Sequence, residues 1–523
     1  MKKKIIWLFY LLFAICFTFT TINIILHNTY YKALHLICVT TICLVGLTII
    51  YKNLSKNEKF IEKNYNKILI SFGIGMFIIE IVLGIALRYD PLWDVGAIHK
   101  GAIEWVETGT FENYYEYFYR FPNNLAAMAF LHLFFKIASI FGIKDYFAVS
   151  VVINSIMVSC TTVIVSLICK KIADVKHAVF ALVLFGFSVQ FYFLDGAVYT
   201  DMLSVIFPVL FFYLYLNSKE QSGKRKIITY ILMGLTITIG SLNKFTVIII
   251  AIAVGIDLLI NRKFKEFTKI LVSVVSIMMI FNVTFNLYMY SSHLDRQTAK
   301  GENTPYNHWV MMGLKGDGVY NPEDYEFTRK YDYDENRNSK INKEIFDRIK
   351  NLGFCGIFDL AMTKSTADFG NGTYGAEDFY NCNPQTDTKL HDWILPEGKN
   401  YKKYATYATS MHIAILILML TAAWGFVCSD DEKRKKMFSL YLTIFGVYLF
   451  LLCWETNRRY FSNFAPVIFI CGTLGIDKFI EVCLKTKEKI KLYILAELNI
   501  EPSKEELLYL VIHINRFCTR AGL

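Results

Sequence analysis

The sequence predicts an all-α polytopic membrane protein with about 12 transmembrane helices, one interfacial or re-entrant helix and a large extracytoplasmic loop. Of its 523 residues, 54% are hydrophobic and 19% are charged. A soluble protein carries about 25% charged residues. Several apolar runs approach ~20 residues, the length of helix that crosses ~30 Å of hydrocarbon. The net charge of +10 comes largely from short loops between these runs, as the positive-inside rule expects, and indicates no nucleic-acid partner.

Residues 1–67 predict two transmembrane helices followed by a basic cytoplasmic loop. The first apolar run, 5–26, follows three lysines and is too long for the apolar region of a signal peptide. A second run covers 33–50, and the loop after it is rich in lysine. Because that loop is cytoplasmic by the positive-inside rule, the third run, 68–87, crosses outward. It delivers Asp90 and Asp94 to the extracytoplasmic face.

The apolar run 121–141 decides the rest of the topology. If it crossed the membrane, the later basic loops, such as those at 224–226 and 433–436, would lie outside, against the positive-inside rule. We therefore predict that it does not cross and that it is the interfacial or re-entrant helix of a first outer loop, 88–146. Pro122 suits the first turn of such a helix.

The remaining apolar runs then alternate across the membrane. Six of them complete a membrane core, 68–290, which precedes a large extracytoplasmic loop, 291–409. Three C-terminal transmembrane helices lie in 410–477, and 478–523 is an amphipathic tail, so both termini are predicted to be cytoplasmic. Most of the cysteines lie in apolar runs. Cys355 and Cys382 lie in the large loop, and whether they pair stays open.

This topology places acidic and basic residues at the same membrane face. Six of them lie within a few residues of the end of a predicted span: Asp94, Asp201, Lys244, Glu455, Arg458 and Arg459. Ionisable groups at one membrane depth can line one cavity. Carboxylates act as bases or metal ligands, and arginine and lysine bind phosphate. The pattern therefore predicts chemistry on a lipid-linked phosphate.

Two structural alternatives stay open for these residues. Asp94 precedes a helical pattern, and aspartate is a favoured N-cap residue because its carboxylate accepts hydrogen bonds from the free N–H groups of the first turn. Glu455 lies at helical spacing from Arg458 and Arg459, which is compatible with an ordinary ion pair at the membrane rim.

Short motifs around these residues occur in a recognisable order. They are Asp94 to Ala102, Phe121-Pro122-Asn123-Asn124, Tyr199-Thr200-Asp201-Met202 and Arg459-Tyr460, with the segments 308–314, 318–324 and 370–375 in the large loop. Over residues 68–477 this order resembles the GT-C superfamily of membrane glycosyltransferases. It is most similar to bacterial relatives of the family 39 protein O-mannosyltransferases and of the aminoarabinose transferases.

The resemblance implies a polyprenyl-phosphate-sugar-dependent glycosyltransferase of the cell membrane. It would transfer a hexosyl or pentosyl group, with inversion, to an extracytoplasmic acceptor: a cell-wall or surface polymer, a glycolipid or a protein. Asp94 is the implied catalytic base, with Asp201 as the second catalytic residue. Arg459, with Lys244 and Arg458, would hold the donor phosphate. Further candidates for substrate contact are Tyr460, Glu455, Asp90, His308 and Trp309.

Metal dependence stays open at this point. The motif at 199–202 also resembles the Asp-Thr-Asp-Met sequence of oligosaccharyltransferase subunits, which bind a divalent metal. Tyr199 stands here in place of the first aspartate, so the resemblance predicts no tightly held metal and leaves a divalent metal as an alternative.

Three other functions compete with transfer. A transporter or flippase of lipid-linked glycans needs charged residues within its spans, and the predicted spans hold few beyond Glu80 and Asp257. A polysaccharide polymerase or ligase is not favoured because the Asp94 element comes so early in the chain. A non-catalytic scaffold that presents the large loop is the third alternative.

Overall fold

The computed structural model describes residues 2–28, 32–429 and 432–497, and it contains helices but no strand element within them. Ten of these helices are long and apolar enough to cross a membrane. Some of them expose apolar side chains such as Ile42, Ile70 and Ile280, as lipid-facing helices do. The predicted all-α polytopic membrane fold is confirmed. The tail after Glu497 lies outside the described residues.

Three long helices begin the chain: α1 (Lys2–Leu26), α2 (Ala33–Lys56) and α3 (Glu58–Ala86). The first two correspond to the predicted runs 5–26 and 33–50, and the third contains most of 68–87. Only Asn57 separates α2 from α3. The basic loop expected at this point is therefore built from the ends of two helices.

The next segment leaves the bundle and returns to the same end of it. It contains α4 (Trp93–Thr108), α5 (Tyr115–Arg120) and α6 (Leu125–Ile140), with 3-10 turns at Glu112–Tyr114 and Pro122–Asn124. Arg88, before this segment, forms an ion pair with Asp145, after it. The two ends of the segment therefore lie at the same end of the bundle, and α6 packs on α4. Pro122–Ile140, which contains α6, is one of the ten helices that are long and apolar enough to cross a membrane, so its non-crossing position stays a prediction.

Eight helices build the next part of the membrane domain: α7 (Tyr146–Ile172), α8 (Val175–Phe187), α9 (Val189–Leu194), α10 (Thr200–Leu203), α11 (Ile206–Ser218), α12 (Gly223–Asn243), α13 (Ile248–Ile260) and α14 (Phe264–Ser292). The predicted single span 178–194 is two helices, because Ser188 leaves helical geometry with φ −91° and ψ 80°. Its hydroxyl donates to Leu184 O. This break is one reason why the ten long helices are fewer than the spans predicted.

The large loop is a folded helical region. It contains α15 (Arg296–Glu302), α16 (Tyr306–Met312), α17 (Pro322–Arg329), α18 (Arg337–Gly370), α19 (Ala376–Tyr380) and α20 (His391–Ile394). From the predicted topology, we call residues 88–146 the first outer segment and residues 291–409 the outer region. Arg120 of the first outer segment forms an ion pair with Asp332 of the outer region, so these two outer segments pack against each other. Cys355 is exposed and Cys382 is buried, and both are free thiols.

The chain continues with α21 (Tyr401–Cys428), α22 (Glu432–Cys453) and α23 (Ala465–Glu497). Helix α21 packs along α23. At the end of the bundle opposite the outer segments, the Tyr10 hydroxyl of α1 donates to Arg434 O at the start of α22. At the same end, Asp477 of α23 approaches His177 of α8. The basic loops therefore gather at one end of the bundle and the outer segments at the other.

Candidate active site

Asp94 lies in the first turn of α4, and its two carboxylate oxygens contact two tyrosines. Oδ1 accepts a hydrogen bond from the Tyr117 hydroxyl at 2.9 Å, and Oδ2 accepts one from the Tyr199 hydroxyl at 3.3 Å. The Tyr117 oxygen accepts in turn from Asn124 Nδ2 at 2.6 Å. The side chain stays partly exposed. A carboxylate oriented by two phenols and open to solvent is a suitable general base.

The structure contradicts the alternative in which Asp94 caps α4. Leu92 occupies the N-cap position, and no side chain caps the helix. Trp93, between them, has a φ of +51°, a left-handed conformation that is uncommon for a bulky residue. Gly96 allows the first turn of α4 to lie against the segment that precedes it, because a Cβ at this position would meet Pro91 O at 2.7 Å. The local backbone is thus shaped to present Asp94 and not to cap the helix.

A second group of charges surrounds Asp201, which is 2% exposed in the first turn of α10. Lys244, directly after α12, forms an ion pair with Asp201 Oδ1. Arg459, between α22 and α23, places its Nε 3.4 Å from Asp201 Oδ2. Three segments that are distant in sequence therefore meet here. Two basic side chains therefore contact one carboxylate. Burial lowers the pKa of Lys244 well below its ordinary value, and the charge of Arg459 lowers it further.

Aromatic rings hold the two cations of this group. The Arg459 guanidinium lies 4.8 Å from the Tyr199 ring and 5.4 Å from the Tyr460 ring, and Lys244 Nζ lies 4.8 Å from the Tyr460 ring. Such contacts orient a cation without using its hydrogen-bond donors. Within the described part of the chain, the Arg459 side chain donates no hydrogen bond to protein. Its planar fork is available to a phosphate.

Glu455 joins the same cluster from the segment after α22. It is 4% exposed, and its Oε2 accepts a hydrogen bond from the Tyr460 hydroxyl at 3.2 Å. Burial raises the pKa of the Glu455 carboxyl to about 7, against the lowering effect of Arg459, and the charge of Asp94 raises it further. Glu455 therefore changes its protonation state close to neutral pH.

Replacing Glu455 by Gln should remove a pH dependence of stability. The pKa of Glu455 is about 7 in the folded protein and 4.5 for an ordinary glutamate. Since the folded state binds this proton more tightly, the contribution to stability is complete below pH 4.5 and is lost as the pH rises through 7. It amounts to about 3 kcal/mol. Wild-type Tm in detergent should fall over this interval relative to the Tm of Glu455→Gln.

Scanning fluorimetry across that pH interval measures the difference. The exposed Glu335 provides a matched control, because Glu335→Gln should give a curve parallel to that of the wild type. Parallel curves for Glu455→Gln and the wild type would show that Glu455 ionises normally.

The large loop covers this cluster through its residues 313–320. Gly318 O accepts from Thr456 N at 2.7 Å, beside Glu455, and Gly318 has a φ of +79° that suits glycine. Burial raises the pKa of the Tyr320 phenol, and nearby charges raise it further, including those of Asp94 and Glu455. We call residues 313–320 the roof of the site.

Lys364 of α18 fixes the segment that carries Glu455. It is buried, and its ammonium donates to Leu452 O at 2.9 Å, to Gly313 O at 3.1 Å and to Trp454 O. Asp368, one turn later, accepts from Asn457 N at 3.1 Å. Burial lowers the pKa of Lys364 to about 8. The Lys364 ammonium thus connects α18 to the roof segment and to the C-terminal end of α22.

Four predicted site residues take other positions. Arg458 pairs with Glu377 at 2.9 Å and with Asp378. Asp90 pairs with Lys100 at 2.8 Å.

His308 is buried in the outer region, where Nδ1 meets Thr328 Oγ1 at 2.7 Å and burial lowers its pKa to about 4. Trp309 packs between Phe121 and Trp454, at the edge of the roof. The alternative in which Glu455 forms an ion pair with Arg458 or Arg459 is not observed among the described residues, and its carboxylate accepts a hydrogen bond from Tyr460.

A family model described as "Conserved hypothetical integral membrane protein" matches residues 1–480. The chain belongs to this family. No curated protein matches it. A solved structure, the archaeal oligosaccharyltransferase AglB from Archaeoglobus fulgidus in complex with an inhibitory peptide and a dolichol-phosphate, is similar at 12% identity and a TM-score of 0.36. The match covers 84% of this chain and 54% of AglB, so the chain spans about half of that protein.

Several residues of the site in this member of the integral membrane protein family were not predicted from the sequence. Tyr117 carries no charge and lies in an aromatic-rich stretch, so nothing singles it out. Tyr199 was noted only as the residue that replaces an aspartate. Lys364 looks like an ordinary surface lysine of a polar loop. Within the described ranges, no three His, Cys, Asp or Glu side chains form a group that could hold a metal ion, and metal dependence stays open.

Proposed function

We propose that this protein is a membrane glycosyltransferase that moves a sugar from a polyprenyl-phosphate carrier to an acceptor hydroxyl, with inversion. One observation carries the proposal. Tyr199 donates its hydroxyl to Asp94 and stacks its ring on Arg459, so one tyrosine joins a candidate base to a candidate phosphate site. A base beside a phosphate-binding cation at a membrane rim fits the cleavage of a lipid-linked phosphate.

Asp94 is the proposed general base. The acceptor hydroxyl gives its proton to an Asp94 oxygen as its own oxygen attacks the anomeric carbon of the donor sugar. The new bond between carbon and oxygen forms on the face opposite the phosphate. The bond between the sugar and the phosphate breaks, and its electron pair stays on the phosphate oxygen. A single displacement inverts the anomeric configuration, and the phosphate leaves without an acid.

Arg459 and Lys244 are proposed to hold the phosphate. The leaving phosphate gains a negative charge, and preorganised cations in a site of low dielectric constant stabilise such a charge strongly. Asp201 contacts both basic side chains and keeps them in place for the donor. Asp201 would also help to orient the acceptor. Glu455, when ionised, would weaken the attraction of Arg459 for the donor.

Apolar residues beside these charges support a lipid-linked donor. Phe245, directly after Lys244, and Leu92 and Trp93, directly before Asp94, all expose their side chains. Exposed aromatic side chains are typical of membrane interfaces. A carrier lipid in the bilayer could therefore place its phosphate at the cations without leaving the membrane.

The proposal includes an orientation. The basic loops lie at the end of the bundle opposite the site, which by the positive-inside rule is the cytoplasmic end. The site would then face the extracytoplasmic side of a bacterial cell membrane. Its acceptor would be a cell-wall or surface polymer, a glycolipid or a protein.

Deletion of the gene should remove one sugar substituent from the cell surface. The measurement is the composition and linkage of surface glycans in the deletion strain, with and without the wild-type gene supplied again. The unused polyprenyl-phosphate sugar should accumulate in the deletion strain because nothing consumes it. Complementation controls for effects of the deletion on neighbouring genes. Unchanged glycans and unchanged carrier lipids would contradict the proposal and favour a scaffold.

A further inference from the structure

Helix α18 exposes a stripe of large apolar side chains where the sequence predicted a polar outer loop. The helix bends at Gly353, which has a φ of +59° and a ψ of −172°. Phe354 is 86% exposed, Phe346 69% and Phe358 57%, and Ile349 and Ile357 are also exposed. On each side of the bend these residues follow helical spacing and share one face. We call Phe346, Ile349, Phe354, Ile357 and Phe358 the apolar elbow.

The limb after the bend is attached to the end of a membrane-spanning helix. Asn23 of α1 donates to Met362 O at 3.3 Å and also to Thr366 Oγ1. The Phe369 ring contacts the Phe17 ring with centroids 5.6 Å apart. Since α1 ends at Leu26, these contacts lie within about 14 Å of its end along the helix axis. The elbow therefore begins level with the end of α1.

The face of α1 near this attachment is exposed and apolar. Phe19, Ile22 and Leu26 lie in its last turns and are all exposed. In a membrane protein, such a face contacts lipid. The apolar elbow starts beside this lipid-facing surface, so its apolar stripe extends the same surface outward.

The limb before the bend is fixed to the outer region. Arg348 donates two hydrogen bonds of 2.7 Å to Asp324 and another to Met311 O at 2.8 Å. The elbow is therefore held from both ends. Lys343 and Lys350, three residues before and four after Phe346, are exposed next to the stripe. Lysines at the edge of an apolar face reach toward phospholipid headgroups while their methylene groups stay in apolar surroundings.

We propose that the apolar elbow inserts into the membrane leaflet that borders the candidate site, with lipid as its partner. Continuity with the lipid-facing side of α1 and the flanking lysines favour lipid over a second protein surface. The same helix carries Lys364, which holds the carbonyls before Glu455. One helix thus connects the bilayer to the roof of the site and to the segment that carries Glu455. This inference does not depend on the proposed chemistry.

Photocrosslinking of the full-length protein in phospholipid nanodiscs tests the inference. Phe354 and Phe358 are replaced one at a time by p-benzoylphenylalanine, which preserves an aromatic side chain, and the protein is irradiated. Phe19→p-benzoylphenylalanine on α1 is the lipid-facing reference. Ser339→p-benzoylphenylalanine, exposed in the first turn of α18, is the solvent-facing control. Intact mass spectrometry measures the products.

Both elbow variants should gain the mass of one phospholipid, as the Phe19 variant does, and the Ser339 variant should not. A crosslinked dimer at Phe354 or Phe358 would overturn the proposal and assign the elbow to a second copy of the chain. The absence of any lipid adduct at both positions, with the Phe19 adduct present, would also overturn it. Size-exclusion chromatography before irradiation shows that each variant is folded.

Discussion

Asp94→Asn should reduce the kcat of sugar transfer by about 10²- to 10⁴-fold, while the protein still folds and inserts. Asparagine has nearly the same shape and can still bond to Tyr117 and Tyr199, which contact the two carboxylate oxygens. What it lacks is the basic lone pair that accepts the acceptor proton. The rate is measured in membranes as release of polyprenyl phosphate. Surface glycans of a complemented deletion strain give a second measurement.

A matched control lies on the same helix. Glu107 is exposed near the end of α4, about 20 Å from Asp94 along the helix axis. Glu107→Gln removes one negative charge from α4, and this variant should catalyse sugar transfer at the wild-type rate. Asp94→Glu keeps a base but moves its oxygens outward, so intermediate activity is expected. A wild-type rate for Asp94→Asn, at an unchanged Tm, would remove Asp94 from the chemistry.

The sequence placed most of the charged cluster correctly at one end of the bundle. Asp94, Asp201, Lys244, Glu455 and Arg459 each lie at the end of a predicted span, and alternation of spans decides which ends meet. The prediction that 121–141 does not cross the membrane sets the direction of every later span. The distribution of lysine and arginine between loops carried that information.

The partners of these charges could not be predicted from the same pattern. Hydrogen bonds of Tyr117 and Tyr199 to Asp94 depend on side-chain positions within about 3 Å, and span order is a much coarser property. The position of a residue relative to the end of a span also cannot distinguish the role of Arg458 from that of Arg459. The two residues are adjacent, yet one contacts Glu377 and Asp378 while the other lies between Tyr199 and Tyr460.

The outer region was predicted least well, because its helices are mixed in polarity. The apolar residues of α18 are separated by charges such as Asp347 and Asp359, so mean hydropathy hides the stripe. The contact between Asn23 and Thr366 joins residues far apart in the chain. No local sequence pattern predicts this contact. Only the folded chain shows that part of the predicted loop lies against a membrane helix.

Arg459→Gln should raise the KM for the polyprenyl-phosphate sugar by about 10- to 100-fold, since charge-assisted hydrogen bonds contribute about 1.5–3 kcal/mol. The Tm should change little, because Asp201 keeps its ion pair with Lys244. Arg459→Lys should recover part of the affinity, as it keeps the charge but loses the planar fork and the stacking on Tyr199. Initial rates over a range of donor concentrations measure both variants.

Arg458→Gln is the matched comparison and should have the opposite profile. Glu377 is 1% exposed and would lose its ion pair with Arg458, which should destabilise the protein by about 3 kcal/mol and lower its Tm. The KM of the folded fraction should stay close to that of the wild type, because Arg458 is directed toward Glu377 and Asp378. An equal rise in KM for Arg458→Gln, at an unchanged Tm, would extend the phosphate site to both arginines. A normal KM for Arg459→Gln would instead leave Lys244 as the donor-binding cation, and the base and the phosphate site would no longer be joined through Tyr199.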